Sequence, residues 1–356
     1  IPTTAATADV IITGEASSLF GISLTAGDWN ADGKTDFAIG AWQYSSYTGR
    51  AYLFYNDGSI PTTAATADVI ITGEGTTQFF GSGMTAGDLN ADGKVDLVVG
   101  AYFYSAATGR AYIFYNDGSI PTTAATADVK INGAGNSDFG DINGLITGDF
   151  NGDSRIDLAV SGRALHGDTV GKTYLFYNDG SIPTTAATAD VIITGETTSD
   201  LFGTSLVSGD WNADGKTDLA VGARGYATNT GRAYLFYNDG SIPTTAATAD
   251  VIIQGETTSN LFGASLSSGD FNADGKTDLV VGAYGYSAST GRAYLFYNDG
   301  SIPTTAATAD VIITGETTSN LFGASLSSGD FNTDGKTDLA VGAYGYSTNT
   351  GRAYLF

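Results

Sequence analysis

The chain contains no cysteine, one histidine, one methionine and six prolines among its 356 residues. The absence of cysteine excludes disulfide bonds and fits either redox compartment. The one histidine, His166, gives no basis for a Ser–His–Asp arrangement. The composition therefore argues against an enzyme that depends on such a triad.

Positive charge is also scarce, since 15 Lys and Arg stand against 38 Asp and Glu and the formal net charge is −23. Most of the basic residues occupy two recurring positions of a repeat, so no basic face is available to bind phosphates. Nucleic acid is not expected as a partner. No apolar run approaches about 18 residues, so membrane insertion is not expected either. The start at Ile1, without methionine or a signal-peptide pattern, indicates a mature or excised chain.

The chain consists of six copies of one unit. The segment IPTTAATADV begins at Ile1, Ile60, Ile120, Ile182, Ile242 and Ile302. The period is 59 to 62 residues, which is typical of a repeat architecture. We therefore expect residues 1–356 to form a single domain of six repeats.

Each repeat contains four short stretches with strand character. In the first repeat these are Ala8 to Gly14, Gly21 to Gly27, Asp36 to Ala41 and Arg50 to Tyr55. No stretch shows a convincing period of 3.6, and helix-breaking glycine is frequent, with 49 in the chain. The pattern predicts an all-β fold.

A four-stranded unit repeated six times predicts a six-bladed β-propeller of four-stranded antiparallel blades. The alternative is an open β-solenoid, but its turns are usually shorter than about 30 residues. We expect the N-terminal strand to complete the last blade, so that the blades run Glu15 to Gly73, Glu74 to Gly133 and onward, and the last takes Glu316 to Phe356.

A nine-residue pattern occurs once in every repeat: Asp, x, Asn, x, Asp, Gly or Ser, x, x, Asp. Oxygens at positions 1, 3, 5 and 9, with the carbonyl at position 7, form a cage of hard ligands of the kind that Ca²⁺ prefers, and glycine at position 6 allows the bend. The loop is shorter than an EF-hand and precedes a strand pattern, which excludes an EF-hand. We predict about six calcium ions, one per repeat, with a structural rather than catalytic role; the alternative is a polar turn without metal.

The predicted metal ligands are Asp28, Asn30, Asp32, Lys34 and Asp36; Asp88, Asn90, Asp92, Lys94 and Asp96; Asp149, Asn151, Asp153, Arg155 and Asp157; Asp210, Asn212, Asp214, Lys216 and Asp218; Asp270, Asn272, Asp274, Lys276 and Asp278; and Asp330, Asn332, Asp334, Lys336 and Asp338.

The order Phe20-Gly21, metal loop, Gly40-Ala41 resembles the FG-GAP repeat, and it recurs along essentially the whole chain. The resemblance implies the propeller found in the head of integrin α-subunits and in extracellular lectins, with the metal loops between the first two strands of each blade. Family members commonly have seven blades, whereas six are counted here.

The third copy departs from the repeat pattern, because Ser161-Gly162 replaces Gly-Ala and Ser154 takes the place of the loop glycine. We expect Ser154 to be left-handed and the third calcium site to be the weakest.

The copies differ mainly in the stretch after the ADVIITG strand and in the loop between the third and fourth strands. Both loops are expected at the sheet edge opposite the metal loops, where aromatic rings beside hydroxyl and amide groups suit sugars. The alternative is that the tyrosines brace neighbouring blades. The candidate ligand-binding residues are Trp42, Tyr44, Tyr102, Tyr104, Arg163, Arg224, Tyr226, Tyr284, Tyr286, Tyr344 and Tyr346.

The sequence therefore predicts a secreted or cell-surface, calcium-stabilised binding module that binds glycans or a glycosylated surface, as a lectin or adhesin does. The alternative is a structural or self-associating surface module, or a duplicated scaffold, for which the constant IPTTAATADV segment is the best hint of a contact surface. An enzyme is not expected, because a glutamate that recurs five times, as Glu15 does, indicates packing rather than one asymmetric catalytic site.

Overall fold

The computed structural model describes Ala5, residues 8–166 and residues 170–356. It divides into two compact units. The first extends to Thr147 and also holds Arg155–Gly162 and Phe176–Ala189. The second holds Gly148–Ser154, Arg163–Leu175 and Asp190–Phe356.

Twenty-three strands are found in the described residues. The first three repeats hold β1 Leu24–Gly27, β2 Asp36–Ala41, β3 Arg50–Phe54, β4 Val69–Thr72, β5 Phe80–Gly87, β6 Asp96–Ala101, β7 Arg110–Phe114, β8 Val129–Asn132, β9 Leu145–Gly148, β10 Asp157–Gly162, β11 Lys172–Phe176 and β12 Val191–Thr194. The last three hold β13 Phe202–Gly209, β14 Asp218–Ala223, β15 Arg232–Phe236, β16 Val251–Gln254, β17 Ser265–Gly269, β18 Asp278–Ala283, β19 Arg292–Phe296, β20 Val311–Thr314, β21 Phe322–Gly329, β22 Asp338–Ala343 and β23 Arg352–Leu355.

These strands form antiparallel meanders, such as β5-β6-β7-β8 in the first unit and β13-β14-β15-β16 in the second. Each meander is a β-propeller blade, so the predicted all-β fold class with six blades is confirmed. The predicted third and fourth stretches are β2 and β3, in agreement with the sequence to within one residue.

Short helical turns occur where the sequence predicted loops. They are α1 Tyr44–Tyr47, α2 Tyr104–Ala107, α3 Tyr226–Asn229, α4 Tyr286–Ser289 and α5 Tyr346–Asn349. Three-residue 3-10 helices occupy Ala64–Thr66, Ala124–Thr126, Ala186–Thr188, Ala246–Thr248 and Ala306–Thr308. A single turn carries no helical periodicity, and in α1 to α4 the second and third residues are left-handed, so the pattern could not predict them.

The alternation of residues along β14 gives the sheet two different faces. On one face Val221 lies opposite Tyr234, and both side chains are large. On the other face Gly222 lies opposite Ala233, and both residues are small. The small-residue face, with Ala220 and Leu235, packs with the large-residue face of the following sheet. Burial of these apolar side chains holds neighbouring blades together.

A very close backbone approach accompanies this packing. A Cβ added at Gly222 would lie 2.0 Å from the carbonyl oxygen of Gly263 in the next blade, so this position accepts only glycine. The Ser205 hydroxyl donates a hydrogen bond to the same carbonyl at 3.0 Å. The Gly of the Gly-Ala pair and the Gly of the Phe-Gly pair are therefore the two sides of one contact.

The constant IPTTAATADV segment has a structural role inside the chain. In the fifth copy Ile242 and Ala246 are buried, and Thr194, at the end of β12, forms a parallel bridge with Thr245. The Asp250 carboxylate accepts a hydrogen bond from the Tyr237 backbone N–H at 2.8 Å. These contacts give the segment a role inside the chain. Thr244, Ala247 and Thr248 of the same copy are exposed, so a contact surface stays the alternative for them.

The last blade departs from the prediction that the N-terminal strand completes it. In the described residues its sheet contains three strands, β21-β22-β23. Thr13 in the first copy forms instead a parallel bridge with Thr63, and residues 8–12 form no ladder. The strands β4, β8, β12 and β16 each pair with the strand before them and also form the equivalent bridge to a threonine of the next copy. Thr13 has the bridge without such a ladder in the described residues.

Substitution of Gly222 by alanine tests the close approach between blades. We expect Gly222→Ala to lower the free energy of unfolding by about 1–3 kcal/mol, because the added Cβ overlaps a backbone oxygen that cannot rotate away. Gly342→Ala is the matched control, since the Cβ at this position meets only the movable Ser325 side chain. Urea denaturation measures both, and equal losses in the two variants would contradict the proposed role of the contact.

Candidate functional site

The Asp-rich loops are curled by their own side chains. In the fourth repeat, the Asp214 backbone N–H donates to Asp210 Oδ1 at 3.1 Å and to Asn212 Oδ1 at 3.0 Å. Gly215 donates to Asp210 Oδ2 at 2.9 Å, and Lys216 donates to Asp214 Oδ1 at 3.0 Å. The side-chain oxygens of Asp210 and Asn212 therefore lie close together, beside the N–H group of Asp214. The predicted convergence of loop oxygens on one point requires such proximity.

The aspartate at position 9 is fully buried beneath the loop. Asp218 accepts hydrogen bonds from the Trp211 backbone N–H at 2.9 Å and from the Asn238 backbone N–H at 2.7 Å. It therefore ties the Asp-rich loop to the turn after β15. Its pKa is raised to about 6, chiefly by burial and also by the charge of Asp210, against the lowering effect of the backbone hydrogen bonds.

The same pKa shift is present in other repeats. Burial is the main cause of a raised pKa at Asp96, to about 6, and at Asp278. Neighbouring loop carboxylates, Asp88 and Asp92 in the case of Asp96, raise the pKa further. A cation in the loop would remove this mutual repulsion.

The basic side chain at position 7 contacts the loop as well as the following turn, since Lys216 Nζ lies 3.8 Å from Asp214 Oδ2. Lys216 Nζ donates to the Asn238 carbonyl at 3.1 Å, and Arg155 Nη1 donates to the Asn178 carbonyl at 3.1 Å. The predicted ligand at position 7 is the backbone carbonyl. The side chain of the same residue binds the carbonyl of the following turn instead.

The donor atoms of the loops are oxygens, which a hard cation prefers. The carboxylates of a loop do not, however, converge into a complete metal-binding cluster in the described residues. Among the described residues, no group of three or more His, Cys, Asp or Glu is arranged to hold a metal ion. The donors at positions 1, 3 and 5 are all oxygens, and the aspartate at position 9 faces two backbone N–H groups. Calcium binding therefore stays a prediction.

Five of the candidate ligand-binding tyrosines lie under an arginine of the same repeat. Arg232 stacks on the Tyr226 ring at 3.7 Å from its centroid. The equivalent pairs are Arg50 with Tyr44, Arg110 with Tyr104, Arg292 with Tyr286 and Arg352 with Tyr346. These contacts hold the tyrosines within their own repeat. Bracing of neighbouring blades, the alternative to sugar binding, stays a prediction for them.

The recurring glutamate completes the same cluster. Arg232 Nη1 lies 2.7 Å from Glu196 Oε1, and the Tyr234 hydroxyl donates to that oxygen at 2.9 Å. Each of Glu15, Glu74, Glu256 and Glu316 is likewise paired with the arginine of its repeat. The prediction that these glutamates have a packing role agrees with this geometry.

A different aromatic arrangement is found in the first two repeats. Phe79 lies at the centre, with ring centroids 4.7 Å from Trp42, 4.9 Å from Tyr47 and 5.1 Å from Tyr102. Phe103 adds an edge-on ring at 5.2 Å from Phe79. All five rings are partly exposed. We call these five residues the aromatic cluster; the sequence had indicated Trp42 and Tyr102 but missed Phe79, which lies in the other variable stretch.

A groove of about 370 Å³ borders the aromatic cluster at Tyr47. It is lined by Ala16, Ser17, Gln43, Ser45 and Ser46 as well as by Tyr47. Hydroxyl and amide groups therefore lie next to aromatic rings, as the sequence predicted for this edge of the sheet.

The remaining candidates are placed differently. Arg224 donates a hydrogen bond to the Tyr284 hydroxyl. Tyr344 is exposed overall, and partial desolvation of its hydroxyl group is the main cause of its raised pKa. Arg163 is partly exposed and has an interaction of its own. His166 is exposed and also has a partner, whereas Asp168 lies outside the described residues.

The repeats match a known family model. The FG-GAP repeat model covers residues 20–54, 80–114, 202–236, 262–296 and 322–356. The chain belongs to the FG-GAP repeat family. Each match begins at the Phe of a Phe-Gly pair, and residues of the third repeat are not among those matched.

Similar proteins include two integrins and a phospholipase. Integrin alpha-PS2 of Drosophila melanogaster is 32% identical over 218 residues, which are 56% of this chain and 15% of that protein. Human Integrin alpha-7 is 35% identical over 163 residues, 44% of this chain and 13% of its own length. Phosphatidylinositol-glycan-specific phospholipase D of Bos taurus is 34% identical over 155 residues, 40% and 18% respectively. The chain thus spans less than a fifth of these relatives, one of which is named as an enzyme.

In the described residues, no helix has the length and apolar character needed to cross a membrane.

Backbone conformation removes the strain argument for a weak site in the third loop, and the relative affinity of that site stays a prediction. Ser154 at position 6 is left-handed, with φ of 68°, as predicted. Position 4 is left-handed as well, and there the third loop has Gly152 at 77°, whereas the fourth has Ala213 at 58°. Each loop therefore contains one glycine and one strained side chain, so strain gives no reason for the third site to be weaker.

Exchange of residues at position 4 tests this account of strain. We expect Ala213→Gly to raise the free energy of unfolding, and Gly152→Ala to lower it, each by about 1 kcal/mol, because a left-handed conformation disfavours a Cβ. Thermal or urea unfolding measures both. Changes of the same sign in the two variants would show that position 4 does not carry the strain.

Proposed function

We propose that the chain is an extracellular binding module whose FG-GAP loops hold about six calcium ions, one per repeat. The similarity to integrin alpha subunits supports an extracellular binding role. The all-oxygen donor set at loop positions 1, 3 and 5 supports calcium rather than a softer metal. The ions stabilise the blades by neutralising carboxylates that otherwise repel one another.

The residues that would hold each ion follow the nine-residue pattern. In the fourth repeat these are the side chains of Asp210, Asn212 and Asp214, the carbonyl of Lys216 and the carboxylate of Asp218. Asp218 is already bound to two backbone N–H groups, so a cation held by it would couple the loop to the turn at Asn238. The ion acts as a structural fastener in this proposal.

Removal of one loop carboxylate tests the calcium proposal. We expect Asp210→Asn to lower the number of bound calcium ions from about six to five and to reduce the rise in melting temperature that calcium causes. The matched control is Asp239→Asn, which removes the same charge from an exposed residue of the neighbouring turn. Calorimetric titration and elemental analysis give the count. Absence of calcium in the purified protein, with a melting temperature unaffected by EDTA, would rule the proposal out.

We further propose that the aromatic cluster binds a glycan. The observation that carries this proposal is the packing of five partly exposed rings around Phe79, next to a groove lined by serine hydroxyls and an amide. The tyrosines under arginines are engaged within their own repeats, and the five residues of the aromatic cluster are each partly exposed. Flat rings bind the apolar face of a sugar, and the hydroxyl groups hydrogen-bond to its edges.

Truncation of the aromatic cluster tests glycan binding. We expect Trp42→Ala to weaken binding of a saccharide identified on a glycan array by about 1 kcal/mol or more, with the fold retained. Tyr286→Ala is the matched control, since it removes a tyrosine that lies under Arg292 instead. Loss of binding in the control but not in Trp42→Ala would place the ligand elsewhere. A wild-type protein that binds no saccharide would refute the glycan proposal and favour a protein ligand.

A further inference from the structure

A recurring asparagine links consecutive repeats on the side of the Asp-rich loops. It lies in the turn after the third strand of a repeat, and we call the place where two consecutive repeats meet there a seam. Asn116 Nδ2 donates to the Trp29 carbonyl at 2.9 Å, and Asn298 Nδ2 donates to the Trp211 carbonyl at 2.8 Å. In both cases the acceptor is position 2 of the preceding Asp-rich loop. These two seams are therefore closed by a hydrogen bond to the backbone.

The same link is missing at the seam between the second and third repeats. The equivalent asparagine is Asn178, which is 3% exposed, and its Nδ2 atom has no hydrogen-bond partner in the described residues. Position 2 of the preceding loop is Leu89 instead of tryptophan. Asn238, whose seam has Phe150 at that position, likewise has an unpaired Nδ2 within the described part of the chain. A buried amide without a partner costs free energy, so a group that accepts its hydrogen bond is bound favourably.

A groove of about 410 Å³ opens at the unpaired Asn178 amide. Its lining includes Leu89 and Ala91 from the second Asp-rich loop, Tyr115 after β7, and Arg155, Asn178 and Ser181 from the third repeat. All of these residues belong to the first compact unit. The volume lies in the range of sites that hold a small ligand.

The size of the residue at loop position 2 explains why this seam is open. Trp29 and Trp211 are 3% and 2% exposed and pack in apolar cores with residues of the following repeat, such as Leu97 and Leu279. Leu89 has a smaller side chain at the equivalent position and lines the groove. Leucine therefore leaves a space that tryptophan fills in the closed seams.

The charge of the groove comes from an arginine that replaces a lysine. Arg155 is the charged residue among the described lining residues, and loop position 7 is lysine in the other five repeats. Arg155 Nη1 donates to the Asn178 carbonyl at 3.1 Å, and Lys216 Nζ makes the equivalent bond to the Asn238 carbonyl at 3.1 Å. Lysine thus suffices for that structural contact. What arginine adds is a planar fork of N–H donors, which matches the geometry of a carboxylate.

These side chains define the chemistry of a ligand. The Asn178 amide lacks the acceptor that Asn116 and Asn298 have, and that acceptor is a peptide carbonyl. Arg155, which is bonded to the backbone of Asn178, fits a carboxylate. Tyr115 offers a partly exposed ring for an aliphatic stem. A peptide with an acidic side chain supplies a carbonyl, a stem and a carboxylate together.

We propose that this groove binds one acidic side chain, Asp or Glu, of a peptide segment in a protein partner. A peptide carbonyl of the segment accepts the hydrogen bond of Asn178 Nδ2, and its carboxylate accepts from the Arg155 guanidinium. The net charge of −23 repels a segment with many acidic residues, so the site favours a single acidic residue between uncharged ones. The groove uses no residue of the aromatic cluster and is independent of the glycan proposal.

Short peptides test the chemistry of the groove. The probes are acetylated and amidated Ala-Glu-Ala, Ala-Asp-Ala and Ala-Gln-Ala, titrated with the full chain in calcium-containing buffer and followed by ligand-observed NMR. We expect the two acidic peptides to bind. The Gln peptide is expected to bind about tenfold more weakly or worse, because it loses the charge-assisted contact with Arg155. Acetate that binds as tightly as the acidic peptides would contradict a peptide ligand.

Two variants place the binding in this groove. Arg155→Lys keeps the charge, the contact that Lys216 makes in its repeat and the backbone carbonyl predicted to bind calcium. We expect this variant to lose about tenfold or more in affinity for the acidic peptides, with an unchanged free energy of unfolding. Leu89→Trp introduces the tryptophan of the closed seams, and we expect it to fill the groove and abolish binding while the fold is retained. Urea denaturation checks the stability of both variants.

The matched control moves the arginine to a closed seam. Arg155→Lys combined with Lys276→Arg has the same composition as wild type, but Lys276 belongs to the repeat of Asn298, whose amide is already bonded to the Trp211 carbonyl. We expect the double variant to bind no better than Arg155→Lys alone. Restored binding in the double variant, or undiminished binding in a folded Leu89→Trp protein, would overturn the proposal. So would equal affinity for the Gln peptide, or a wild-type protein that binds neither acidic peptide.

Discussion

The buried aspartate at loop position 9 is the constraint on which each blade depends. The Asp218 carboxylate accepts backbone hydrogen bonds from residues seven positions before it and twenty positions after it. It thereby holds the Asp-rich loop and the turn after β15 against each other. A buried carboxylate of this kind is costly unless its charge is compensated, and the backbone N–H groups supply part of that compensation. A cation in the adjoining loop supplies the rest in the function proposed here.

The second constraint is the glycine-to-carbonyl contact between blades. Because Gly222 has no Cβ, the backbone of the next Phe-Gly pair can approach it within van der Waals distance. The same contact recurs at Gly40, Gly100 and Gly282, so the blades repeat a single geometry. A repeat architecture of this kind therefore makes the same interface several times within one chain.

The division of tyrosines into two groups has consequences for ligand binding. Those that stack under arginine, such as Tyr226, complete an ion-paired cluster with Glu196 and fix the loop after the third strand. The aromatic cluster around Phe79 packs ring against ring and keeps part of its surface exposed. Similar residues in equivalent loops thus serve either bracing or, in our proposal, recognition of a glycan.

The sequence by itself determined the repeat length, the four strands of a blade, the oxygen pattern of the loops and the left-handed Ser154, because these follow from local spacing and backbone stereochemistry. The sequence did not predict that Ala213, at loop position 4, has a left-handed backbone conformation, because the spacing of the ligands does not reveal the conformation of the residue between them. Tertiary structure alone decided that the Tyr226 ring is covered by Arg232 and that Phe79 packs with Trp42 and Tyr102. The partners of Phe79 lie more than twenty positions away along the chain, and a local pattern carries no information about which distant side chain comes to cover a ring.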